Sequence, residues 1–343
     1  MSVAKRIREV VKIAALGRVR PPQRFFLGLD GAQKEITVWL DGAGAPRDVT
    51  LHHSLACADP LTICVAFKKG EGLKEDERKH LTLKFREQKG GEKLLGKIGL
   101  RYVKTISTSG PALFFFEVTS ARNYCLPALH LWSFYLLHAY RRWRRPLPPN
   151  LIQLPFLAMR AMDILFICPR PIGLGSSAEG ERGNMFPVNV MGPLDDGYFG
   201  FALKHAKFPA HLVNRTRRLA LTTVPMQHGD LAYGLGRNHS RDGIEWSDLP
   251  FSIKPSREFR IPVPTFALGV RELEVEVNHL FGTHIFFAGR IVCDDRFNEA
   301  VELCVVHGHY QCYRLKVRGE DLAPSLAEDA RIKRGAKADH SLF

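Results

Sequence analysis

The chain has 343 residues, of which 45% are hydrophobic and 24% charged, with a formal net charge of +14. Such a composition belongs to a globular protein and excludes disordered, collagen-like and disulfide-stapled chains, and the length exceeds what one hydrophobic core usually serves. The charge is one-sided: residues 1–150 hold 26 Lys and Arg against 13 Asp and Glu, residues 151–343 hold 23 against 22. The first half alone therefore carries the basic surface that attracts anionic membranes or nucleic acid. Seven cysteines, without a CxxC pair or a secretory leader, favour a reduced, cytoplasmic chain.

Residues 4–16 are basic and amphipathic, with Ile7, Val10, Val11 and Ala14 at helical spacing, and are expected to cap their own domain. Residues 25–120 read mainly as strands, including runs at 35–40, 61–67 and 112–118 that are β-branched or aromatic. The charge-rich segment 70–93 reads as an exposed connection with a short strand at 81–85. No family resemblance is evident in this half. An apolar run from Leu126 to Tyr140 follows, then Arg141-Arg142-Trp143-Arg144-Arg145. It is shorter than the roughly 20 apolar residues that span a bilayer. A helix packed on its domain is expected, and residues 126–145 are also a candidate membrane-surface contact. Nucleic acid ranks behind a membrane surface as a partner, since no nucleic-acid signature is visible. Pro146, Pro148 and Pro149 end any helix. They separate a basic β-rich domain, residues 1–148, from a second domain, residues 155–343.

After this linker the pattern becomes short strands separated by Gly, Asn and Pro, with runs at 164–168, 219–224, 273–277 and 285–292. Many short strands and few helices argue for a closed barrel or sandwich. No internal repeat is visible.

The second half contains an ordered set of motifs. It starts with Pro169-Arg170-Pro171-Ile172-Gly173-Leu174-Gly175-Ser176-Ser177 and continues with Asn184-Met185-Phe186-Pro187-Val188-Asn189-Val190-Met191-Gly192. Then come Phe199 to Leu203, Lys204-His205-Ala206-Lys207, a helix-like Phe208 to Thr216, and Gly282-Thr283-His284-Ile285-Phe286-Phe287-Ala288-Gly289. This set resembles the flavin reductase-like, FMN-binding split barrels. The segment His307-Gly308-His309-Tyr310 to Leu315 resembles the closing hairpin of that family. Asn189 stands where the family more often has Ser or Thr, and Met191-Gly192 replaces a more polar or aromatic pair.

The resemblance implies an α+β, mostly β chain whose C-terminal domain is a Greek-key split barrel, a homodimer, and FMN near the subunit interface. It also implies oxidoreductase chemistry with NAD(P)H as co-substrate, either as a flavin reductase or as a flavoprotein electron carrier. The alternative is a non-catalytic flavin-binding module recruited to a membrane or nucleic acid by the basic half. A flavin phosphate needs cations and backbone donors, which Lys204, His205 and Lys207 before a helix supply. Arg170 suits either the phosphate or a structural ion pair. Ser176, Ser177, Asn184, Pro187 and Asn189 are the candidates for the ring, and His284 is the candidate catalytic residue, which the resemblance puts near the face where the reductant approaches; a buried, hydrogen-bonded structural histidine is the competing reading.

Two other readings are set aside. Gly173-x-Gly175-x-x-Ala178 imitates a dinucleotide fingerprint, but a turn follows where a helix should open. Cys304-x-x-His307-x-His309-x-x-Cys312 offers metal ligands, but strand alternation sends Cys304 and His307 to opposite faces, so no metal is expected.

Overall fold

The computed structural model describes residues 24–29, 35–88, 93–144 and 154–318. The expected N-terminal helix at 4–16 and the expected boundary at Pro146–Pro149 lie outside these residues.

The first half comprises β1 (Arg24–Leu29), β2 (Ile36–Asp41), β3 (Arg47–Asp48), β4 (His53–Ala58), β5 (Leu61–Phe67), β6 (Leu81–Glu87), β7 (Leu94–Ser107) and β8 (Ala112–Asn123). Helices α1 (Ala128–Arg144) and α2 (Phe156–Leu165) follow. The second half has β9 (Arg170–Pro171), β10 (Gly173–Glu179), β11 (Arg182–Val188), β12 (Met191–Asp195), β13 (Tyr198–Lys204), α3 (Phe208–Thr216) and β14 (Arg218–Thr223). Next come α4 (Gly229–Gly234), a 3-10 turn over Leu235–Ser240, β15 (Ile253–Pro255), β16 (Pro262–Pro264), β17 (Gly269–Phe281), β18 (His284–Arg296), β19 (Glu302–His307) and α5 (Gly308–Arg318).

The fold is mostly β, as expected, and the expected strands at 35–40, 61–67, 81–85, 112–118, 219–224, 273–277 and 285–292 fall on β2, β5, β6, β8, β14, β17 and β18. Two expectations are corrected. The apolar run 164–168 is no strand: it begins in the last turn of α2, whose Ala158, Ala161, Met162 and Leu165 are buried at helical spacing. A short apolar run cannot by itself distinguish a buried strand from a buried helix. The expected closing hairpin at 307–315 is instead the end of β19 followed by α5. There Tyr310 and Tyr313, one helical turn apart, donate to Glu35 at 2.8 Å and Glu87 at 2.7 Å and tie α5 to the first half.

The two large sheets share one topology. Their orders are β3-β2-β6-β7-β8-β5-β4 and β11-β10-β14-β17-β18-β13-β12; numbered within its own half, each runs 2-1-5-6-7-4-3. The match extends to single bonds. Ala202 N–H donates to the Val190 carbonyl at 2.9 Å, and Ala66 N–H to the His52 carbonyl at 2.8 Å, each crossing from strand four to the residue before strand three. An internal repeat is thus present in the backbone, although the sequence shows none. The halves differ in two connections. A three-residue 3-10 turn, Asp76–Arg78, stands where the second half has α3, and residues 224–268 are inserted before β17.

The halves pack as one body. A core cluster runs through Val38, Phe85 and Phe115 of the first half into Leu174, Phe286 and Val305 of the second. Phe115 lies edge-on to Phe286, with ring centroids 5.3 Å apart. Each such buried ring contributes roughly 1.5–3 kcal/mol by leaving water. A second cluster, with Phe186, Phe201, Leu219, Leu273 and Phe287, fills the second barrel itself. Strand β1 pairs with β19, which also pairs with β9, so the first described strand belongs to a small sheet shared with the second half.

Candidate functional site

Strand β13 ends at Lys204 beside His284, the first residue of its neighbour β18. The chain then turns through His205 into α3, with Lys207 as the N-cap residue and Pro209 in the first turn, where proline's fixed φ suits a helix start. On the other side, β11 ends at Val188, and Asn189 and Val190 lead into β12. These elements enclose a cavity of about 30 Å³ lined by Pro187, Val188, Asn189, Val190, Ala202, Leu203, Lys204, Lys207, His239 and His284. Five of the sequence-predicted residues, Pro187, Asn189, Lys204, Lys207 and His284, meet here. His205 is exposed on the turn beside them.

The other candidates lie elsewhere. Arg170 is buried and donates to His53 Nε2 at 3.0 Å and to the Leu165 carbonyl at 3.4 Å, which ties the two halves together. Ser177 is bonded to Thr216 at 2.9 Å and donates to the Arg218 carbonyl at 3.0 Å, and Ser176 is buried between β11 and β14. Asn184 donates to the carbonyls of Asn238 at 3.0 Å and Arg241 at 3.2 Å, pinning the inserted segment to β11.

That segment supplies a residue the sequence did not indicate. His239 closes the cavity, donating from Nε2 to the Pro187 carbonyl at 2.9 Å, while Lys207 donates to the adjacent Ser240 at 2.7 Å. Burial lowers His239 to about 4, with the charges of Lys204 and Lys207 acting the same way against the Pro187 bond. His284 is likewise held at about 4, first by burial and then by the charges of Lys204 and His205. Both imidazoles are therefore neutral at pH 7. His284 Nδ1 lies 2.9 Å from Thr283 Oγ1 and 3.7 Å from the Sγ of Cys57, a residue of the first half. Burial pushes the Cys57 thiol up, and it donates to the Asp59 carbonyl at 3.2 Å.

No protein-family model matches the chain, and no curated protein does. Among solved structures it is similar to an FMN-binding protein from Thermus thermophilus with bound 1-cyclohex-2-enone, 23% identical over 44% of this chain and 80% of that one, with a TM-score of 0.37. A flavoredoxin from Methanosarcina acetivorans is 16% identical over 39% of this chain and 72% of that one, with a TM-score of 0.35. An NADH:FAD oxidoreductase from Streptomyces globisporus is 14% identical over 47% of this chain and 96% of that one, with a TM-score of 0.39. The chain is similar in part to FMN-binding and flavin reductase split-barrel proteins.

The cavity residues suit a flavin in kind. Lys204 at the end of β13 and Lys207 at the start of α3 are cations of the kind a phosphate needs, and Val188, Val190, Ala202 and Leu203 give an apolar wall beside Asn189. In size, about 30 Å³ is one water's share of the liquid, whereas pockets for cofactors run to several hundred Å³. The turn Leu235–Ser240 is held against this cavity by the bonds of His239 to Pro187 and of Lys207 to Ser240.

Elsewhere, the four-residue metal pattern of the sequence is not assembled. Asp163, His307 and His309 meet instead, buried, with His307 Nε2 2.9 Å from Asp163 and its Nδ1 accepting the His309 N–H at 3.2 Å. A wider open groove of about 810 Å³ on the first half, lined by Arg78, Tyr102 and Thr119 among others, gathers none of the sequence-predicted residues.

Proposed function

We propose that the chain is an FMN-binding oxidoreductase that takes electrons from NAD(P)H, as a flavin reductase or as an electron carrier. The observation that carries this reading is the convergence of Lys204, Lys207, Pro187, Asn189 and His284, from separate elements, on one cavity. Lys204 and Lys207 hold the phosphate by charge-assisted bonds, with His205 adding charge at the rim. Asn189 and the backbone around Pro187 face the polar edge of the ring, and Val188 and Leu203 its apolar part. His284, neutral at pH 7, orients a ligand by hydrogen bonding and stores no proton there. The turn carrying His239 moves aside when the site fills. When bound, the flavin supplies the acceptor for a hydride from the nicotinamide, and the protein supplies orientation and electrostatics.

The visible spectrum of the purified or FMN-reconstituted protein tests the proposal. Flavin bands that bleach with NADH or NADPH are expected, and a colourless protein that takes up no FMN overturns it.

A second reading, a flavin-binding module held at a membrane surface, is favoured by one observation. Leu129, Trp132, Leu136, Tyr140 and Trp143 form an exposed stripe on α1, between 54% and 81% accessible, while Leu131 and Tyr135 hold the opposite side in the core. No helix among the described residues is long and apolar enough to cross a membrane.

A further inference from the structure

The shared strand order raises the question of what the first half does for the second. The halves meet reciprocally, the same parts of each touching the same parts of the other, as in an isologous dimer contact. Strand three of each half, β4 and β12, face one another, and a Cβ on Gly192 would lie 2.7 Å from the His53 carbonyl. The β4–β5 turn of the first half docks on the β17–β18 turn of the second: Thr283 N–H donates to the Asp59 carbonyl at 3.0 Å. In return, Tyr198, at the β12–β13 turn, docks on the β7–β8 turn, where its hydroxyl lies 2.6 Å from Ser109 Oγ and its ring covers Gly110.

Both equivalent sites keep a lysine at the end of strand four, but only the second keeps the histidine beside it and the helix after it. Leu203 pairs with Ile285 and Lys204 with His284; Phe67 pairs with Ala112, which puts Lys68 and Pro111 at the corresponding positions. Proline has no imidazole, and the helix that follows Lys207 is replaced by the turn Asp76–Arg78. At the Leu203 position the first half has Phe67, packed on Phe114 at 4.9 Å and covered by Arg47 at 4.8 Å.

From this we infer that the first half is a built-in partner: a second copy of the barrel, without a flavin site of its own, that completes the single site of the chain by holding His284 through Cys57 and the Asp59 turn. The inference rests on the flavin reading above for the nature of the ligand, but not for the arrangement of the halves. It replaces the expected homodimer with an intramolecular one. Cys57 and the Asp59 backbone are positioning groups, acting through His284 and Thr283.

Sedimentation velocity and native mass spectrometry of the full chain, with and without added FMN, test it. A 38.7 kDa monomer that binds one FMN is the expected result. Lys68→Ala should leave FMN affinity unchanged, whereas Lys204→Ala should lower it at least tenfold. A dimer with sites built between chains, two FMN per monomer, or a Lys68→Ala variant as impaired as Lys204→Ala would overturn the inference. The oligomeric state is read without flavin. A monomer that takes up no FMN therefore counts against the flavin reading, while still supporting the partner role of the first half.

Discussion

Gly282 and Asp59 are in contact across the two halves: Gly282 adopts φ +45°, and a Cβ on it would collide with the Asp59 carbonyl oxygen. Gly282→Ala therefore faces both a left-handed backbone and a blocked approach, and must part the turn that carries His284 from the first half. Gly180→Ala is the control, since Gly180 also has positive φ (+63°) but open space around it. The control should cost about 1 kcal/mol, and Gly282→Ala clearly more, with weaker FMN retention. Urea denaturation of both variants measures the difference.

Arg170 is expected to be a structural residue. His53 Nδ1 donates to the Val49 carbonyl at 2.7 Å, which leaves Nε2 to accept from Arg170. Arg170→Ala strands that nitrogen in the core and should destabilise the chain by about 1.5–3 kcal/mol. Its preference for FMN over riboflavin should not change. Thermal melts and paired flavin titrations check the two halves of this statement.

The phosphate preference should instead reside in the lysines. The double variant Lys204→Ala, Lys207→Ala loses charge-assisted bonds worth roughly 1.5–3 kcal/mol each, and so about one to two orders of magnitude in FMN affinity for each bond. Riboflavin should bind the variant and the wild type nearly alike. Retention of the full FMN preference would place the phosphate elsewhere.

Stability should fall on mild acidification. His239 and His284 titrate at about 4, and His53 and His309 at about 3, chiefly because they are buried. In the unfolded chain each returns to about 6.5. Below that pH the unfolded state binds more protons, so stability is full above about 6.5 and declines as the pH falls toward the folded values. The loss at pH 5 relative to pH 7 is on the order of 2 kcal/mol per histidine. Urea midpoints at the two pH values give the sign directly.

The α1 stripe predicts vesicle binding. Trp and Tyr on an exposed helix face, in a segment whose sequence is rich in arginine at 141–145, suit the boundary of an anionic bilayer. The full chain should co-sediment with phosphatidylserine-containing vesicles and be released by salt. Leu129→Ser, Trp132→Ser, Leu136→Ser together should abolish binding while leaving the melting temperature within a few degrees, because these side chains are exposed.

Much of the second half was legible in the sequence. The runs at 219–224, 273–277 and 285–292 declared strands because a sheet's core demands β-branched and aromatic residues locally, and Pro187, Asn189, Lys204, Lys207 and His284 each lie inside a recognisable motif. The run 164–168 reads as a strand, although its first two residues end α2, because five apolar residues in a row satisfy either periodicity. What only the tertiary structure decided involves long separations: Cys57 and His284 are 227 positions apart, and His239 meets Pro187 across 52. No local signal marks such pairs. The repeat escaped for a different reason. A strand order is held by backbone pairing, which many side chains satisfy equally well, so two halves can keep one topology with no visible likeness in sequence, and it is the shared strand order, with the matching bonds of Ala202 to Val190 and Ala66 to His52, that reveals it.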